Sequence, residues 1–308
     1  MVSVIGQAFS AIADGRVTTP PIMRVDIPEH DGEVDVKSAY VKGEKNFAVK
    51  LSSGFFNNHL LGLPSGSGMM VLISSQTGVP QAVLLDNGYL TDVRTAAAGA
   101  VAAQHLAPAE VRVAGVIGTG SQARYQALAL QLVRPFEKLV VYGRHPAHLE
   151  SFIAEMEALL KVPVVAAGSA DEVVAQSQVV ITTTPSRTPM VHASALHKGL
   201  HITAMGSDAE HKHELDARVL SQADLVVCDL EAQCLRLGEL HHAVEEGVFT
   251  SHESVLELGQ VTSGRHPGRT EAEQVTVCDL TGTGVQDTAI AQYAFARLLE
   301  QGYGTRLE

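Results

Sequence analysis

The sequence predicts an α/β protein: a doubly wound parallel sheet joined to a second, α+β domain. Three observations carry this. After Pro108, short Val- and Ile-rich runs alternate with Ala- and Leu-rich segments of helix length, the pattern of a sheet with helices on both faces. The first of those runs leads straight into Gly118-Thr-Gly-Ser-Gln-Ala123. Before Pro108 the texture differs, with strand-like runs broken by Gly, Pro, Asn and Ser.

In chain order, the first part offers strands at Ala39–Val41, Asn46–Leu51, Gly68–Ser74 and Ala82–Asp86, with Gln76-Thr77-Gly78 as a hairpin turn. The second part reads as strand Val111–Ile117, helix Ser121–Leu132, strand Lys138–Tyr142 and helix Pro146–Leu160. Strands at Val162–Ala166, Val179–Thr182, His201–Ala204, Leu225–Cys228 and Val275–Cys278 follow, and Asp287–Gln301 is a last helix that folds back onto the first domain. The expected division is residues 1–109 plus 286–308 against residues 110–285.

Composition narrows the function. The 308 residues are 45% hydrophobic and only 5% aromatic, which suits Val-rich strands buried on both faces. The net charge is −12 with no basic block, which argues against nucleic acid and anionic membranes as partners. No apolar run reaches the ~20 residues of a membrane span, and the first residues show no basic stretch followed by an apolar core. Cys228, Cys234 and Cys278 are odd in number and form no CxxC, so neither a disulfide framework nor a thiolate metal site is expected, and a reducing cytoplasm is. His211 and His213 form an HxH without a third ligand at a defined spacing, so no metal is expected.

The loop after Ile117 follows the GxGxxA pattern of a Rossmann-type dinucleotide site. Gly118 permits the tight turn, Gly120 admits a pyrophosphate against the backbone, and Ala123 lets the helix pack close to the strand. Thr119, Ser121 and Gln122 complete the loop at a helix N-terminus, whose positive pole favours phosphate; the alternative is a mere packing turn. At the end of the second strand, Val141-Tyr142-Gly143-Arg144 lacks the acid that takes a ribose 2′-hydroxyl. Arg144 is suited to a 2′-phosphate instead, which leans the expectation within NAD(P)(H) towards NADP(H); otherwise it is a solvated loop residue.

Motifs along nearly the whole chain resemble the ornithine cyclodeaminase/mu-crystallin family, closest to its ectoine-utilisation and iminosuccinate reductase-like branch. They are Pro21-Ile-Met-Arg24, Ala48-Val-Lys50, the Asp86…Thr91-Asp-Val-Arg94-Thr95 segment and the glycine loop. Ile181-Thr-Thr-Thr-Pro185, Gly199…Gly206-Ser-Asp208 followed by Glu214-Leu215, and Cys278-Asp-Leu-Thr-Gly-Thr-Gly-Val-Gln-Asp287 continue them. The start looks shorter than in typical members by roughly one strand. The resemblance implies an NAD(P)-dependent enzyme working at C2 of a small amino or imino acid, and a homodimer.

Position by position, it implies that Arg24, Lys50 and Arg94 hold the substrate carboxylate, a task that planar Arg forks suit. Arg94 and Thr95 stand at cofactor-phosphate positions. Thr182, Thr183, Thr184, Met205, Gly206, Lys212, Thr281 and Gly282 stand on the cofactor side. Asp208 is the implied acid/base and Lys50 a second catalytic group; a solvated Lys50 and an Asp208 that merely caps a helix are the plainer readings.

Where cyclodeaminases carry a Glu and then, two positions on, an apolar residue, this chain has Asp35 and Lys37. Lys37, with Ser53 and Asn57 as neutral donors beside Ser52, suits a distal carboxylate better than a distal ammonium. The favoured reaction is therefore reduction of a C2 imine, iminosuccinate giving aspartate. The alternatives are ornithine cyclodeamination and a non-catalytic, mu-crystallin-like ligand binder.

Overall fold

The computed structural model describes residues 1–250 and 255–306. The chain divides into two compact units, residues 3–94 with the segment from Thr283 onward, and residues 95–282. The first division between the units falls inside a helix, between Arg94 and Thr95.

The first unit opens with α1 (Val2–Ala13) and continues through β1 (Val17–Thr18), β2 (Met23–Ile27), β3 (Gly32–Val41), β4 (Asn46–Phe55), β5 (Gly66–Ser74) and β6 (Pro80–Leu84). The strands form one antiparallel sheet in the order β1-β3-β4-β5-β6, with β2 also on β3. Gly78, at φ +72°, turns the chain between β5 and β6, where the hairpin was expected.

β3 is much longer than its expected three residues. Strand side chains alternate between faces, and on β3 the buried positions Glu33, Asp35 and Lys37 are charged while Val34 and Val36 are only half-buried. An apolar-in, polar-out pattern cannot detect such a strand.

The helix α2 (Tyr89–Leu106) follows. Ala96, Ala97, Ala98, Ala100, Val101, Ala102 and Ala103 are all buried, so it has no polar stripe to mark it as a helix.

The second unit is the expected parallel sheet. Its strands are β7 (Val113–Ile117), β8 (Lys138–Tyr142), β9 (Val164–Ala166), β10 (Val179–Thr182), β11 (His201–Ala204), β12 (Leu225–Cys228), β13 (Val255–Glu257) and β14 (Thr276–Asp279). Their order is β13-β12-β14-β11-β10-β7-β8-β9, parallel throughout. The helices are α3 (Ser121–Val133), α4 (Pro146–Leu160), α5 (Ala170–Gln176), α6 (Arg218–Ser221), α7 (Glu231–Cys234), α8 (Glu239–Glu245) and α9 (Leu258–Thr262). Two apolar clusters pack in this unit, one around Val180, Ile202 and Val226, the other around Ala123, Leu139 and Phe152. The chain leaves β7 towards β8 on one side and returns to β10 on the other. That reversal opens a crevice at the strand C-termini, where doubly wound sheets bind ligands.

The last helix, α10 (Gly284–Gln301), belongs to the first unit. Ile290 and Ala291 pack on Ala48, Met70, Leu72 and Leu84, each large side chain contributing ~1.5–3 kcal/mol by burial. No helix among the described residues is long and apolar enough to cross a membrane.

Candidate active site

In the first unit the sheet face under α10 changes character along its length. One end is apolar, with Ala39, Ala48, Leu72 and Leu84. The other end carries Lys50 on β4, directly opposite Lys37 on β3, then Asp35 opposite both Ser52 and Arg24. Lys37 is 4% exposed and Lys50 1%. Burying such cations is costly unless counter-charges are near.

The counter-charge comes from α10. Asp287 lies in its first turn, where the helix dipole favours an anion. Its Oδ2 is 3.1 Å from Lys50 Nζ and its Oδ1 2.9 Å from Arg94 Nε. Arg94, buried on α2, also donates from NH1 to Gln286 Oε1 at 3.0 Å. Burial pushes the Asp287 carboxyl up, but Arg94, Lys50 and Lys37 outweigh it and hold the group below its ordinary value. Burial first, then Arg94, brings the Lys50 ammonium down to about 7, against the opposing pull of Asp287. Lys37, Lys50 and Arg94 thus all act on the Asp287 carboxylate, and a cationic strip of this kind suits an anionic ligand.

Three expected members of this group stand differently. Arg24 is ion-paired with Glu33, with Asp26 at 2.9 Å and with Asp35 at 3.6 Å, so its guanidinium is already engaged by acids. Ser53 lies one residue out of phase with Ser52, so alternation puts it on the opposite face from Lys50; it is not part of the strip. Asn57 is exposed beyond the end of β4, before a 3-10 turn.

In the second unit the glycine loop has the expected shape. Gly118 has φ +115°, and a Cβ there would meet Thr183 Oγ1 at 2.5 Å. A Cβ on Gly120 would meet nothing within 4 Å, so the loop lies open above the start of α3. Ala123 is fully buried under it. Arg124, which the sequence reading passed over, fixes the loop by donating to Thr119 O at 2.6 Å and Gly120 O at 3.1 Å. Thr95 O accepts from Gln126 Nε2 at 3.0 Å, and Gln122 Oε1 accepts from the same amide at 3.3 Å. Arg144 is exposed between β8 and α4. The turn, the open backbone and the helix N-terminus together fit a dinucleotide pyrophosphate.

The strand ends beside this loop are tied by buried carboxylates. Glu214 accepts from Thr182 Oγ1 at 2.6 Å, Thr184 N at 2.6 Å, Thr184 Oγ1 at 2.7 Å and Gly206 N at 2.8 Å. Glu239 accepts from the Glu214 and Leu215 amides at 2.8 and 3.1 Å. Asp229 accepts from Gly282 N at 2.7 Å and Thr281 Oγ1 at 3.0 Å. Asp279 accepts from Leu240 N at 2.9 Å. Burial raises all four, Asp279 to about 7 and Glu239 well above its ordinary value.

The Thr182 and Thr281 side chains are buried, and their hydroxyls donate to Glu214 and Asp229. Met205 and Gly206 follow β11, and the Met205 amide donates to Thr182 O at 3.2 Å. Thr183 Oγ1 donates to Ile117 O at 3.1 Å.

No helix follows Asp208, which rules out the capping role. The residue, 37% exposed at its side chain, forms a 2.6 Å ion pair with buried Lys212. His213 of the HxH stacks on His242 at 3.9 Å, and burial lowers it to about 4. His241, His242 and Glu245 place possible ligand atoms within 4.8 Å of one another. Two of their ring nitrogens, however, are engaged by the Leu235 and Lys212 carbonyls.

Residues 1–302 match the model of the ornithine cyclodeaminase/mu-crystallin family. The chain is 50% identical over 302 residues to an uncharacterized cyclodeaminase of Sinorhizobium fredii, covering 98% of this chain and 91% of that protein. Its structure is similar to that of the Thermococcus litoralis Delta(1)-pyrroline-2-carboxylate reductase in complex with NADH and L-proline. The TM-score is 0.94 and the identity 29%, over 99% of this chain and 94% of the other. It is also similar to the iminosuccinate reductase of Paracoccus denitrificans in complex with NAD+, with a TM-score of 0.90 and 32% identity over 100% and 94% of the two chains.

Proposed function

The chain is an enzyme of the ornithine cyclodeaminase/mu-crystallin family, and we propose that it reduces the C2 imine of a small 2-imino acid to the L-amino acid, using NADH or NADPH. The observation that carries this is the cationic strip: Lys37, Lys50 and Arg94 around the buried carboxylate of Asp287. Arg94 and Lys50 take the substrate's α-carboxylate, which fixes C2 and lowers the barrier mainly through orientation. Gly118 to Ala123 and Arg144 hold the dinucleotide, whose reduced nicotinamide supplies the hydride. Asp208 moves the proton at the substrate nitrogen, and Lys212 holds the Asp208 carboxylate in place.

The favoured substrate is a four-carbon dicarboxylic imine, iminosuccinate giving aspartate. Two points support it: Lys37 shares the buried face with Lys50, and the likeness to an iminosuccinate reductase spans the whole chain. One observation favours cyclodeamination of a diamino acid instead. Glu33 and Asp35 gather at the Arg24 end of the same strip, where a distal ammonium would find acid. We also place the enzyme in the cytoplasm, its three buried free thiols suiting a reducing compartment. As a homodimer it would cover the outer sheet face, on which Met23 is 59%, Val25 50% and Val83 55% exposed.

A screen at 340 nm decides between the readings. Oxaloacetate, pyruvate and glyoxylate are offered with ammonia or methylamine and each of NADH and NADPH, and ornithine is assayed separately for released ammonia. Oxidation of NAD(P)H with oxaloacetate and ammonia, without ammonia from ornithine, is expected. Ammonia release from ornithine with no net cofactor use would reverse the order of the two readings. Sedimentation velocity on the same preparation should return twice the 32.6 kDa of one chain, and a monomer mass would remove the dimer.

A further inference from the structure

We infer that Asp287 is a positioning residue whose carboxylate holds the Lys50 ammonium and the Arg94 guanidinium side by side, in the arrangement that receives a substrate carboxylate. The inference rests on the reading that those two cations are the carboxylate site. Asp287 itself was not among the residues that the sequence singled out for a role.

The geometry is that of a built clamp. Lys50 comes from β4, Arg94 from α2 and Asp287 from α10, and each Asp287 oxygen takes one cation. The start of α10 cannot drift. Thr288 Oγ1 donates to Ala39 O on β3 at 2.7 Å and accepts from Ala48 N on β4 at 3.0 Å. Gln292 Nε2 donates to Asn46 O at 2.6 Å. Gly284 lies so close to the Ser38 backbone that a Cβ would be 2.9 Å from its amide nitrogen and nearer still to its carbonyl. Gln286, one residue before Asp287, takes the other arm of Arg94. A mere counter-ion needs no such bracing, because a buried charge pair can be replaced by apolar side chains of similar volume.

The clamp also governs whether Lys50 is charged. The groups facing Lys50 are Asp287 from α10, Arg94 from α2 and Lys37 from β3, and its partner on β5 is the uncharged Met70. Arg94 and Lys37 push the ammonium towards neutrality, and Asp287 opposes them. With Asp287 neutralised, Lys50 loses its proton at lower pH, and a carboxylate ligand loses one of its two cations with it.

The test is calorimetric binding of oxalate, a probe that offers carboxylate and little else, between pH 5.5 and 9. For the unaltered protein the affinity should fall as pH rises through about 7. In Asp287→Asn the fall should begin at least one pH unit lower (roughly a tenfold change in proton affinity). Asp287→Glu keeps the charge but displaces it, so the fall should stay near neutral pH with affinity reduced several-fold. Lys50→Met should abolish the fall and weaken binding about tenfold at pH 6, the loss of one charged contact.

Unchanged binding in Lys50→Met would sink the carboxylate-site reading itself. A weakened Lys50→Met beside an Asp287→Asn whose fall has not moved would overturn the role of Asp287 alone. If Asp287→Asn does not fold, Asp287→Glu decides, and oxalate affinity equal to that of the unaltered protein overturns the proposal.

Discussion

The two units bury charge in opposite ways. In the first unit the acids meet cations: Asp287 with Lys50 and Arg94, Glu33 with Arg24. In the second, Glu214, Glu239, Asp229 and Asp279 meet mainly backbone amides and hydroxyls, and burial pushes all four towards the protonated form. The first arrangement sets several cations about a carboxylate, so it is suited to an anionic ligand. The second disfavours charge by burial and uses its carboxylates as hydrogen-bond acceptors, so it is suited to tying strand ends and loops together. A buried acid is therefore not in itself a sign of catalysis; its partners decide what it does.

The same small substitution should separate the two designs most strongly. Asp287→Asn leaves Lys50 and Arg94 buried without their anion and should cost about 3–5 kcal/mol of unfolding free energy. Asp279→Asn keeps an oxygen for the Leu240 amide and removes a carboxylate that the fold resists ionising. The sign follows from linkage. Asp279 holds its proton more tightly folded than unfolded, so stability falls as pH rises from about 4 to about 7 and the penalty stays constant above that. A displacement of that size corresponds to at most about 4 kcal/mol. Asp279→Asn should thus be nearly neutral at pH 4 and stabilising at pH 8, as read by urea unfolding at the two pH values. Equal destabilisation by both variants at pH 8 would dissolve the contrast between the units.

The contrast also explains what could be read from the sequence. The strands of the second unit are buried on both faces, so Val179–Thr182 and Leu225–Cys228 stand out as apolar runs, and the Gly118 to Ala123 loop is marked by residues that the turn itself requires. In the first unit the polar half of β3 hides its strand, because Glu33, Asp35 and Lys37 occupy the inward positions. α2 hides for the opposite reason, being apolar on nearly every side. Lys50, Arg94 and Asp208 came from motif resemblance, and Lys37 from a departure from the motif. Asp279 and Asp287 lay within the Cys278 to Asp287 motif without a structural role assigned to either, and Glu239 carried no mark: in a linear sequence a buried acid looks like any surface acid. A packing signal in that motif is Gly284, two residues before Gln286-Asp287, a glycine that the Ser38 backbone requires.

An intermediate case is the Asp208–Lys212 pair, an ion pair in the unit whose buried acids otherwise meet mainly backbone amides and hydroxyls. If charge is kept there because it is used, Asp208→Asn should lower kcat about 100-fold with a smaller change in KM, the scale of general acid–base catalysis. Because Lys212 is buried, the change should also cost some stability, so turnover is read on protein shown by urea unfolding to be folded. Steady-state kinetics with the best substrate from the imine screen gives the answer, and near-normal turnover would leave the pair a surface contact.

The smallest effect is expected at Arg144, where the second unit holds a cation in solvent rather than in its interior. It follows the C-terminal end of β8, the strand beside the glycine-loop strand β7, and Gly143 before it lies so close to Thr119 that a Cβ would meet Thr119 Cγ2 at 2.6 Å. That places the Arg144 backbone next to the loop proposed to hold the pyrophosphate, on the strand whose end reads the adenosine ribose in folds of this type. No acid stands at that strand end to accept a 2′-hydroxyl. A 2′-phosphate would gain a charged hydrogen bond from the guanidinium, worth about 1.5–3 kcal/mol when formed but less when solvent competes for it. Arg144→Ala should therefore weaken NADPH roughly tenfold in a fluorescence titration and leave NADH within about twofold. An equal loss for both cofactors would assign Arg144 to the shared pyrophosphate, and no loss for either would leave NADH as the working cofactor, with Arg144 a solvated residue.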